Sequence, residues 1–404
     1  MKKINLVVVP FHDWKKCERE GFRTRDAHMI AEFRKHPLIN KILIVDRPTS
    51  MAEMILLRRS WHIRSGQPES QLGRNRLTKL DEKTFVLDMY TLDVLNPILK
   101  QRSWIPKIYG KSSTKIAVKE AIRHLEIKEH VLFMFSPLSM PLYDQLQSPY
   151  LVVDAVDNML KIPQFSEIKS EINDYYDEIR QKATMVFSNT METTTWLSRQ
   201  NDAAIYVPNG VDFHHFRSAD NKVPDDLQML SRPIVGYAGK MQEEFDVELL
   251  QNTALTFPNV TFVCIGQLLN PKWMKPLWEL PNVKYLGDKH YDLLPSYLAN
   301  FDVCMIPYNL ERQHANDPIK FYEYLSMGKP IVTTNIGGVS AFADLPQVKV
   351  VSNAAEFIAA LKHFLTLIRD GVKLPLVDLP REVLWSTKAD FMINAIQQKI
   401  SKNE

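Results

Sequence analysis

The residues best suited to chemistry lie in one stretch of the second half of the chain, residues 317–334, which reads Asp-Pro-Ile-Lys-Phe-Tyr-Glu-Tyr-Leu-Ser-Met-Gly-Lys-Pro-Ile-Val-Thr-Thr. Asp317 is a favourable N-cap, and Pro318 a favourable first residue, of a helix that Gly328 would end before a strand. Lys320 and Glu323 lie three residues apart, so they share one helix face near an N-terminus that attracts anions. A cation, backbone N–H groups and a carboxylate together suit a phosphate beside a hydroxyl-bearing sugar, as in a nucleotide sugar.

Glycines point to the same kind of ligand. Of the 13 glycines in the chain, seven fall between residues 236 and 338, in or beside the predicted ends of strands and helices. Glycine at such positions lets backbone N–H groups approach an anion closely, although tight turns in a compact α/β domain explain part of the set. Lys240 follows Gly239 and supplies a second cation for a diphosphate. We therefore expect the second half of the chain to bind the nucleotide.

The elements that position these residues alternate between strand and helix, a pattern typical of parallel sheets covered by helices. Strands are predicted at 4–10, 41–45, 84–88, 130–134, 150–153, 185–188, 204–207, 234–238, 260–265, 283–286, 303–306, 331–334 and 348–351. The fold class expected is α/β, with two doubly wound Rossmann-like domains that face each other across a cleft. The predicted boundaries are 1–208 for an acceptor-binding domain, 209–380 for a donor-binding domain, and 381–404 for a helix that packs back on the first domain.

Composition bounds the class of protein. A chain of 404 residues with 45% hydrophobic and 24% charged residues is typical of a globular protein with two domains. No apolar run is long enough for a membrane-spanning helix, and a net charge of +3 does not call for nucleic acid. The three cysteines favour buried thiols in the cytoplasm. We expect no metal and no cofactor, because the sequence has no Asp-x-Asp triplet and its His and Cys residues do not cluster.

Two segments combine basic residues with tryptophan and aliphatic residues. They are Ile55-Leu-Leu-Arg-Arg-Ser-Trp-His-Ile-Arg64 and Lys100-Gln-Arg-Ser-Trp-Ile-Pro-Lys-Ile-Tyr-Gly-Lys111. Such segments can associate peripherally with an anionic membrane, but a solvated edge whose apolar residues fold inward is the favoured interpretation. The membrane interpretation favours an acceptor at the inner membrane face.

An ordered set of motifs extends over most of the chain. It consists of Val153-Asp-Ala-Val-Asp-Asn158, Val207-Pro-Asn-Gly-Val-Asp212, Pro233-Ile-Val-Gly-Tyr-Ala-Gly-Lys240, Pro281-Asn-Val-Lys-Tyr-Leu-Gly287 and residues 316–332. In this order the set resembles the GT-B glycosyltransferases of the retaining group known as family 4 or group 1, and residues 316–332 resemble the signature of that group. Two features depart from the group. Ala315 carries no carboxylate where a glutamate is frequent, and Pro10-Phe-His-Asp-Trp14 replaces a glycine-rich loop.

The resemblance, together with the positions above, predicts the site residues. Lys240 and Lys320 stabilise the departing diphosphate, and Asp154 and Asp157 orient the acceptor hydroxyl or the developing oxocarbenium ion. The donor-binding residues expected are Gly239, Lys240, Gly266, Gln267, Gly287, Tyr291, Asn316, Lys320 and Glu323, with Glu323 on the ribose and Tyr291 or His290 stacked on the base. His12, Asp13, Arg23 and Arg25 are candidates for an anionic acceptor.

The predicted function is transfer of a sugar from a nucleoside diphosphate donor, with UDP as the favoured nucleotide, to a hydroxyl of a glycan or lipid-linked acceptor. Retention at the anomeric carbon is expected, and the pathway expected is the synthesis of surface polysaccharide or another glycoconjugate. Two alternatives stay open. A nucleotide-sugar 2-epimerase shares the architecture but needs acid–base carboxylates beside the sugar, and a non-catalytic glycan-binding subunit would have no nucleotide affinity.

Overall fold

The computed structural model describes residues 3–146, 148–198, 204–218, 222–312, 317–376 and 378–403. The chain divides into two compact units, which are treated separately. The N-terminal unit contains Met1–Val207 and Trp385–Glu404, and the C-terminal unit contains Pro208–Leu384.

The strands of the N-terminal unit are short and mostly buried, as expected for a sheet covered on both faces. They are β1 (Ile4–Val9), β2 (Ile39–Val45), β3 (Thr49–Ser50), β4 (Gln67–Leu72), β5 (Asn75–Asp81), β6 (Thr84–Asp88), β7 (Tyr90–Thr91), β8 (Val131–Met134), β9 (Tyr150–Ala155), β10 (Met185–Ser188) and β11 (Ala204–Tyr206). Among the described residues they form a nine-stranded sheet in the order β11-β10-β9-β8-β1-β2-β6-β5-β4, with β3 and β7 paired separately. The chain leaves β1 for β2 on one side and returns to β8 on the other, so the strand order reverses beside β1.

All pairs in this large sheet are parallel except those that β5 makes with β4 and β6. The β4–β5 hairpin has no counterpart among the predicted strands. Its outer strand reads Gln-Pro-Glu-Ser-Gln-Leu and lies at the sheet edge, largely exposed, so it lacks the apolar pattern that marks the inner strands.

Helices connect these strands. They are α1 (Trp14–Glu20), α2 (Arg25–Lys35), α3 (Met51–Leu56), α4 (Leu95–Lys100), α5 (Trp104–Tyr109), α6 (Ser112–His124), α7 (Met140–Leu146), α8 (Lys169–Lys182) and α9 (Met191–Ser198).

The C-terminal unit repeats the plan with parallel strands throughout the part that the structure describes. Its strands are β12 (Ile234–Ala238), β13 (Thr261–Ile265), β14 (Val283–Tyr285), β15 (Val303–Ile306), β16 (Ile331–Thr334) and β17 (Val348–Val351). Its helices are α10 (Phe213–Arg217), α11 (Asp225–Gln228), α12 (Val247–Thr256), α13 (Pro271–Trp278), α14 (Leu294–Asn300), α15 (Ile319–Ser326) and α16 (Ala354–Arg369). The described strands form a six-stranded sheet in the order β14-β13-β12-β15-β16-β17. The strand order reverses between β12 and β15, and in such sheets ligands bind at the carboxyl ends of the strands beside that reversal.

The last helix, α17 (Trp385–Asn403), belongs to the N-terminal unit and packs on α2. The Trp385 ring stacks on the His28 ring of α2, with centroids 5.2 Å apart. No helix among the described residues has both the length and the apolar composition needed to span a membrane.

Candidate functional site

Three glycine loops at the carboxyl ends of β12, β13 and β14 lie side by side in the C-terminal unit. The Gly239 N–H donates to the Ile265 carbonyl and the Gly266 N–H to the Gly287 carbonyl, both at 2.9 Å. A Cβ added to Gly266 would lie 2.0 Å from the backbone oxygen of Gly239, and the φ of Gly266 is +127°. Only glycine fits this backbone-on-backbone contact, so Gly239, Gly266 and Gly287 are brought together as one surface.

The Lys320 ammonium lies over this surface. It extends from the first turn of α15, and a Cβ on Gly239 would be 3.0 Å from its Nζ. Nζ donates to the Tyr308 hydroxyl at 2.6 Å and lies 4.9 Å and 5.4 Å from the ring centroids of Tyr308 and Tyr237. In the described part of the chain the ammonium contacts this hydroxyl and these two rings, and no carboxylate forms an ion pair with it. A half-buried cation held by two aromatic rings but not neutralised by an acid is suited to an anionic ligand.

Tyr237 and Tyr308 were missed at the sequence level, although a signal existed. Tyr237 lies in β12, and Tyr308 follows β15 by two residues, at the carboxyl end where the strand order reverses. The Tyr237 hydroxyl donates to the Lys240 carbonyl at 2.6 Å, so the same ring that contacts Lys320 also fixes the loop after β12. Applying the strand-end rule to all polar residues would have included Tyr308.

Glu323 lies one turn further along α15 and is buried. The Tyr291 hydroxyl faces this carboxylate, and burial together with the Glu323 charge raises the pKa of Tyr291. The phenol is therefore protonated and can donate to Glu323. The Tyr291 ring is itself buried and stacks on the His215 imidazole, with centroids 4.5 Å apart and planes 9° apart. This geometry favours a role for Tyr291 in holding Glu323 and His215 rather than in stacking on a base.

Asp317 is not the N-cap that the sequence suggested; that expectation was wrong. Helix α15 begins at Ile319 with Pro318 at the N-cap. The buried Asp317 carboxylate instead accepts from the Asn209 backbone N–H at 2.5 Å and from the Tyr322 hydroxyl at 2.9 Å. The Asn209 side chain returns a hydrogen bond to the Asp317 carbonyl at 2.5 Å. The Pro-Asn-Gly turn and the start of α15 are thus joined, which sets the entry of the helix that carries Lys320 and Glu323.

The remaining donor-side predictions fall at the rim of this surface or outside the described residues. The Lys240 side chain is exposed in the loop after β12, and Gln267 follows Gly266 with its side chain half-buried. The Gln267 carbonyl accepts from the Met241 N–H at 2.8 Å, which ties the two loops together. Asn316 lies outside the described residues.

In the N-terminal unit, the predicted acceptor residues Asp154 and Arg25 form a buried ion pair. Arg25 donates to both Asp154 oxygens, at 2.8 Å and 3.1 Å, and the side chains are 2% and 0% exposed. A bidentate, fully buried pair favours a structural role for both residues over contact with a sugar.

Asp157 is placed differently. It is half-buried in the loop after β9 and has a φ of +56°, a strained conformation for a residue with a Cβ. The Asn189 side chain holds it from both sides, accepting from the Asp157 N–H at 3.0 Å and donating to its carboxylate at 2.8 Å. Strain that is maintained by such a specific partner is a reason to keep Asp157 as a functional candidate.

Charges at the carboxyl ends of β1, β2 and β6 are also paired, and this cluster was not foreseen. The Lys15 ammonium lies 2.5 Å from the buried Asp46 carboxylate. Asp88 accepts from the Ile63 N–H at 3.3 Å, and burial raises the pKa of Asp88 to about 7 despite the charge of Lys15. Arg47 bridges Asp13 and Glu53, at 3.0 Å and 2.7 Å.

The other acceptor candidates belong to the same pattern. His12 pairs with the buried Asp26 at 3.0 Å, and this partner holds the pKa of Asp26 at about 2 although burial opposes it. Arg23 pairs with Glu20 at 3.1 Å.

Comparison with known proteins finds similarity to glycosyltransferases in part of the chain. Residues 232–366 match the family model described as Glycosyl transferases group 1. The chain is 30% identical over 139 residues to the Bacillus subtilis (strain 168) protein named "Putative teichuronic acid biosynthesis glycosyltransferase TuaH", a match that covers 33% of this chain and 35% of that relative. The match thus spans about a third of the length of the relative.

Solved structures resemble the whole chain in fold. The sucrose-phosphate synthase of Thermosynechococcus elongatus gives a TM-score of 0.68 at 13% identity, covering 99% of this chain and 100% of that one. Anabaena HepE, solved in complex with UDP-glucose, gives 0.61 at 12% identity, with 99% of each chain covered. The chain therefore carries a glycosyltransferase group 1 domain on a GT-B fold. This confirms the α/β fold class and the resemblance to group 1 glycosyltransferases that the sequence predicted.

Proposed function

We propose that this protein transfers a sugar from a nucleoside diphosphate donor, UDP-linked for preference, to a hydroxyl of a glycan or lipid-linked acceptor, with retention at the anomeric carbon. The observation that carries the proposal is the Lys320 ammonium, which lies against Gly239 with no carboxylate partner in the described residues. The UDP-glucose bound by Anabaena HepE and the group 1 domain support a nucleotide sugar as the donor.

The donor would be held by parts that the C-terminal unit already positions. The diphosphate lies on the glycine loops, where Lys320, the N-terminus of α15 and Lys240 neutralise its charge. Glu323, on the same helix as Lys320, would accept hydrogen bonds from the ribose hydroxyls. Because negative charge grows on the diphosphate as the glycosidic bond breaks, a preorganised cation at this point stabilises the transition state more than the ground state.

Retention requires that the acceptor hydroxyl attack the anomeric carbon on the same face from which the leaving group departs. The departing diphosphate oxygen can then take the proton of that hydroxyl, so the reaction needs no strong protein base. No metal or cofactor is proposed, since Lys320 and Lys240 supply the positive charge that a divalent cation would bring. We assign acceptor recognition to the N-terminal unit, with Asp157, which Asn189 holds at the carboxyl end of β9, as the candidate acid.

The location proposed is the cytoplasm, with the inner membrane face as the place of a lipid-linked acceptor. The pathway proposed is the synthesis of surface polysaccharide or another glycoconjugate. The segment that is similar to TuaH supports this proposal. A linkage and a particular sugar are not assigned.

The test is a screen of UDP- and GDP-linked sugars with the full-length protein, with calorimetric titration of UDP and GDP beside it. We expect UDP to bind and at least one UDP-sugar to release UDP, slowly without acceptor and faster with an added glycan. If neither nucleotide binds, the donor site is wrong and the glycan-binding alternative is favoured. If one nucleotide sugar is converted into its epimer without release of nucleotide, the epimerase alternative replaces the transferase.

A further inference from the structure

The N-terminal unit exposes a group of large apolar side chains that the proposed function does not use. They lie at the end of α3 and along α4: Ile55, Leu56, Leu57, Leu92, Val94, Leu95, Ile98 and Leu99, each between 39% and 75% exposed. We call this surface the α3–α4 face. On α4, Leu95, Ile98 and Leu99 are spaced three and four residues apart, so they project from one side of the helix. Large apolar side chains scattered singly need no explanation, but a contiguous set marks an interaction surface.

The local fold brings the two halves of the face together. Strands β3 and β7 pair in parallel, with Thr49 opposite Tyr90 and Ser50 opposite Thr91. The segments that follow both strands therefore leave the ladder at the same end, and α3 packs against α4. A capping box of Ser50 and Glu53 fixes the start of α3. The apolar residues are thus displayed on an anchored support.

The charges around the face are almost all positive. The flanking segments 55–64 and 92–111 contain one acid, Asp93, and expose the basic side chains of Arg58, Arg64, Lys100, Arg102 and Lys107. Arg59 and Lys111 are exposed as well, but they pair with Glu53 and Asp93. Asp93 is engaged internally, since it accepts from Trp104 Nε1 at 3.2 Å and Asn96 Nδ2 at 3.0 Å and pairs with Lys111 at 3.3 Å. Glu53 is likewise bound by Arg47 and Arg59.

The tryptophans of these segments serve the support rather than the face. Trp104 is buried beneath Arg47, whose guanidinium carbon lies 5.4 Å from the ring centroid, and Trp61 packs on Tyr90. Leucine and isoleucine side chains therefore form most of the exposed apolar surface. The sequence pointed to these segments for membrane association, and the structure shows that their leucine and isoleucine side chains are more exposed than their tryptophans.

We infer that the α3–α4 face docks on an anionic membrane surface, with its leucine and isoleucine side chains in the acyl boundary and the surrounding arginine and lysine side chains on the lipid phosphates. Exposed apolar side chains between segments with an excess of positive charge match this occupant better than a second copy of the chain, because two such faces would repel each other. The inference rests on the proposed function only in that a lipid-linked acceptor gives the docking a purpose.

The test is flotation of the full-length protein with vesicles of equimolar phosphatidylcholine and phosphatidylglycerol, compared with phosphatidylcholine alone, at low and physiological salt. We expect binding to the anionic vesicles that weakens with salt. Leu95→Asn combined with Leu99→Asn should weaken vesicle binding at least tenfold, because it removes side chains that would enter the bilayer. Lys100→Gln combined with Lys107→Gln should weaken it about fivefold for each charge removed.

The matched control for the apolar change is Leu255→Asn on α12 of the C-terminal unit, where Leu255 is 62% exposed; the control for the charge change is Lys362→Gln on α16. Both should leave binding unchanged. Thermal unfolding and UDP titration of every variant should match the unsubstituted protein, which separates docking from folding and from the donor site. The inference is overturned if the protein binds UDP but floats with neither vesicle, or if sedimentation shows a dimer that Leu99→Asn dissociates.

Discussion

The carboxyl ends of the strands carry cations in both units, but Lys320 of the C-terminal unit has different surroundings from the cations of the N-terminal unit. Three described cations of the N-terminal unit have acids against them: Lys15 has Asp46, Arg25 has Asp154, and Arg47 has Asp13 and Glu53. Lys289 of the C-terminal unit likewise has Asp226. In the C-terminal unit Lys320 has a tyrosine hydroxyl and two aromatic rings. Similar sheets thus present a neutralised network in one case and an available cation in the other.

The difference shows why position on a fold is not enough to assign a binding residue. A lysine whose charge is already compensated gains little from an incoming phosphate, and its removal leaves a buried acid without a partner. A lysine held by neutral groups keeps its charge available for a ligand. The comparison predicts that changes in the first unit act on stability and changes in the second act on donor chemistry.

Lys15→Met should give the largest effect on stability. It leaves the buried Asp46 carboxylate without its cation, and breaking one partner of a buried pair costs about 3–5 kcal/mol. We expect a clear drop in the thermal unfolding temperature of the N-terminal unit, measured by calorimetry. Asp46→Asn in the same chain should restore part of the loss, because it removes the unpaired charge and keeps an oxygen that accepts from the Trp14 N–H. A single variant as stable as the unsubstituted protein would remove the contrast between the units.

Lys320→Met should give the largest effect on donor chemistry and little on stability. Loss of a preorganised charge at a transition state costs about 10²–10³-fold in turnover. We expect that loss in the rate of UDP release from the donor identified by the screen. The unfolding temperature should equal that of the unsubstituted protein within experimental error. Methionine keeps the length of the side chain over Gly239 and its contact with the rings.

The control for this change is Lys329→Met. Lys329 follows α15, and its ammonium donates to the carbonyls of Ala299 and Phe301. The substitution should lower stability but leave turnover per folded molecule intact. Near-normal turnover in Lys320→Met would contradict the proposed donor site.

The parts of this contrast differed in how well they could be predicted from sequence. The inner strands of both sheets are short apolar runs bounded by turn residues, so their positions followed from local pattern alone. Lys320 was found because its helix signals lie within the same few residues. The pairing that decides the role of Arg25 could not be found this way, because Asp154 is 129 residues away and nothing local joins them. The role of Asp317 was misjudged for the same reason: its partner Asn209 is 108 residues away.

Asp88→Asn should reveal the cost of the neutralised network as a change in pH dependence. Burial raises the pKa of Asp88 from its ordinary value of 3.8 to about 7. The folded unit therefore keeps a proton that the unfolded chain has lost, so this group costs stability progressively as pH rises from about 4 to 7, and the full cost applies above pH 7. Asparagine does not ionise, so it does not carry this pH-dependent cost. From pH 5 to pH 8 the free energy of unfolding of the variant should therefore rise by on the order of 2 kcal/mol relative to that of the unsubstituted protein.

The measurement is chemical unfolding of both proteins at these two pH values, followed by a signal from the N-terminal unit. Equal pH slopes for the two proteins would show that Asp88 does not titrate in this window. Turnover at fixed pH should not change, because Asp88 lies outside the donor surface.

Lys240→Ala should give the smallest effect and sharpens the comparison within the C-terminal unit. Lys240 is exposed in the loop after β12, and an exposed charge contributes less than one held against a glycine surface by aromatic rings. We expect the rate of UDP release from the donor to fall about fivefold. The affinity for UDP, measured by calorimetric titration, should fall by a similar factor. The Tyr237 hydroxyl donates to the backbone carbonyl of Lys240, so the substitution by alanine keeps this hydrogen bond of the loop. A loss as large as that of Lys320→Met would mean that the two lysines act as one unit on the diphosphate, and that exposure is a poor guide to which cation of this surface contacts the donor.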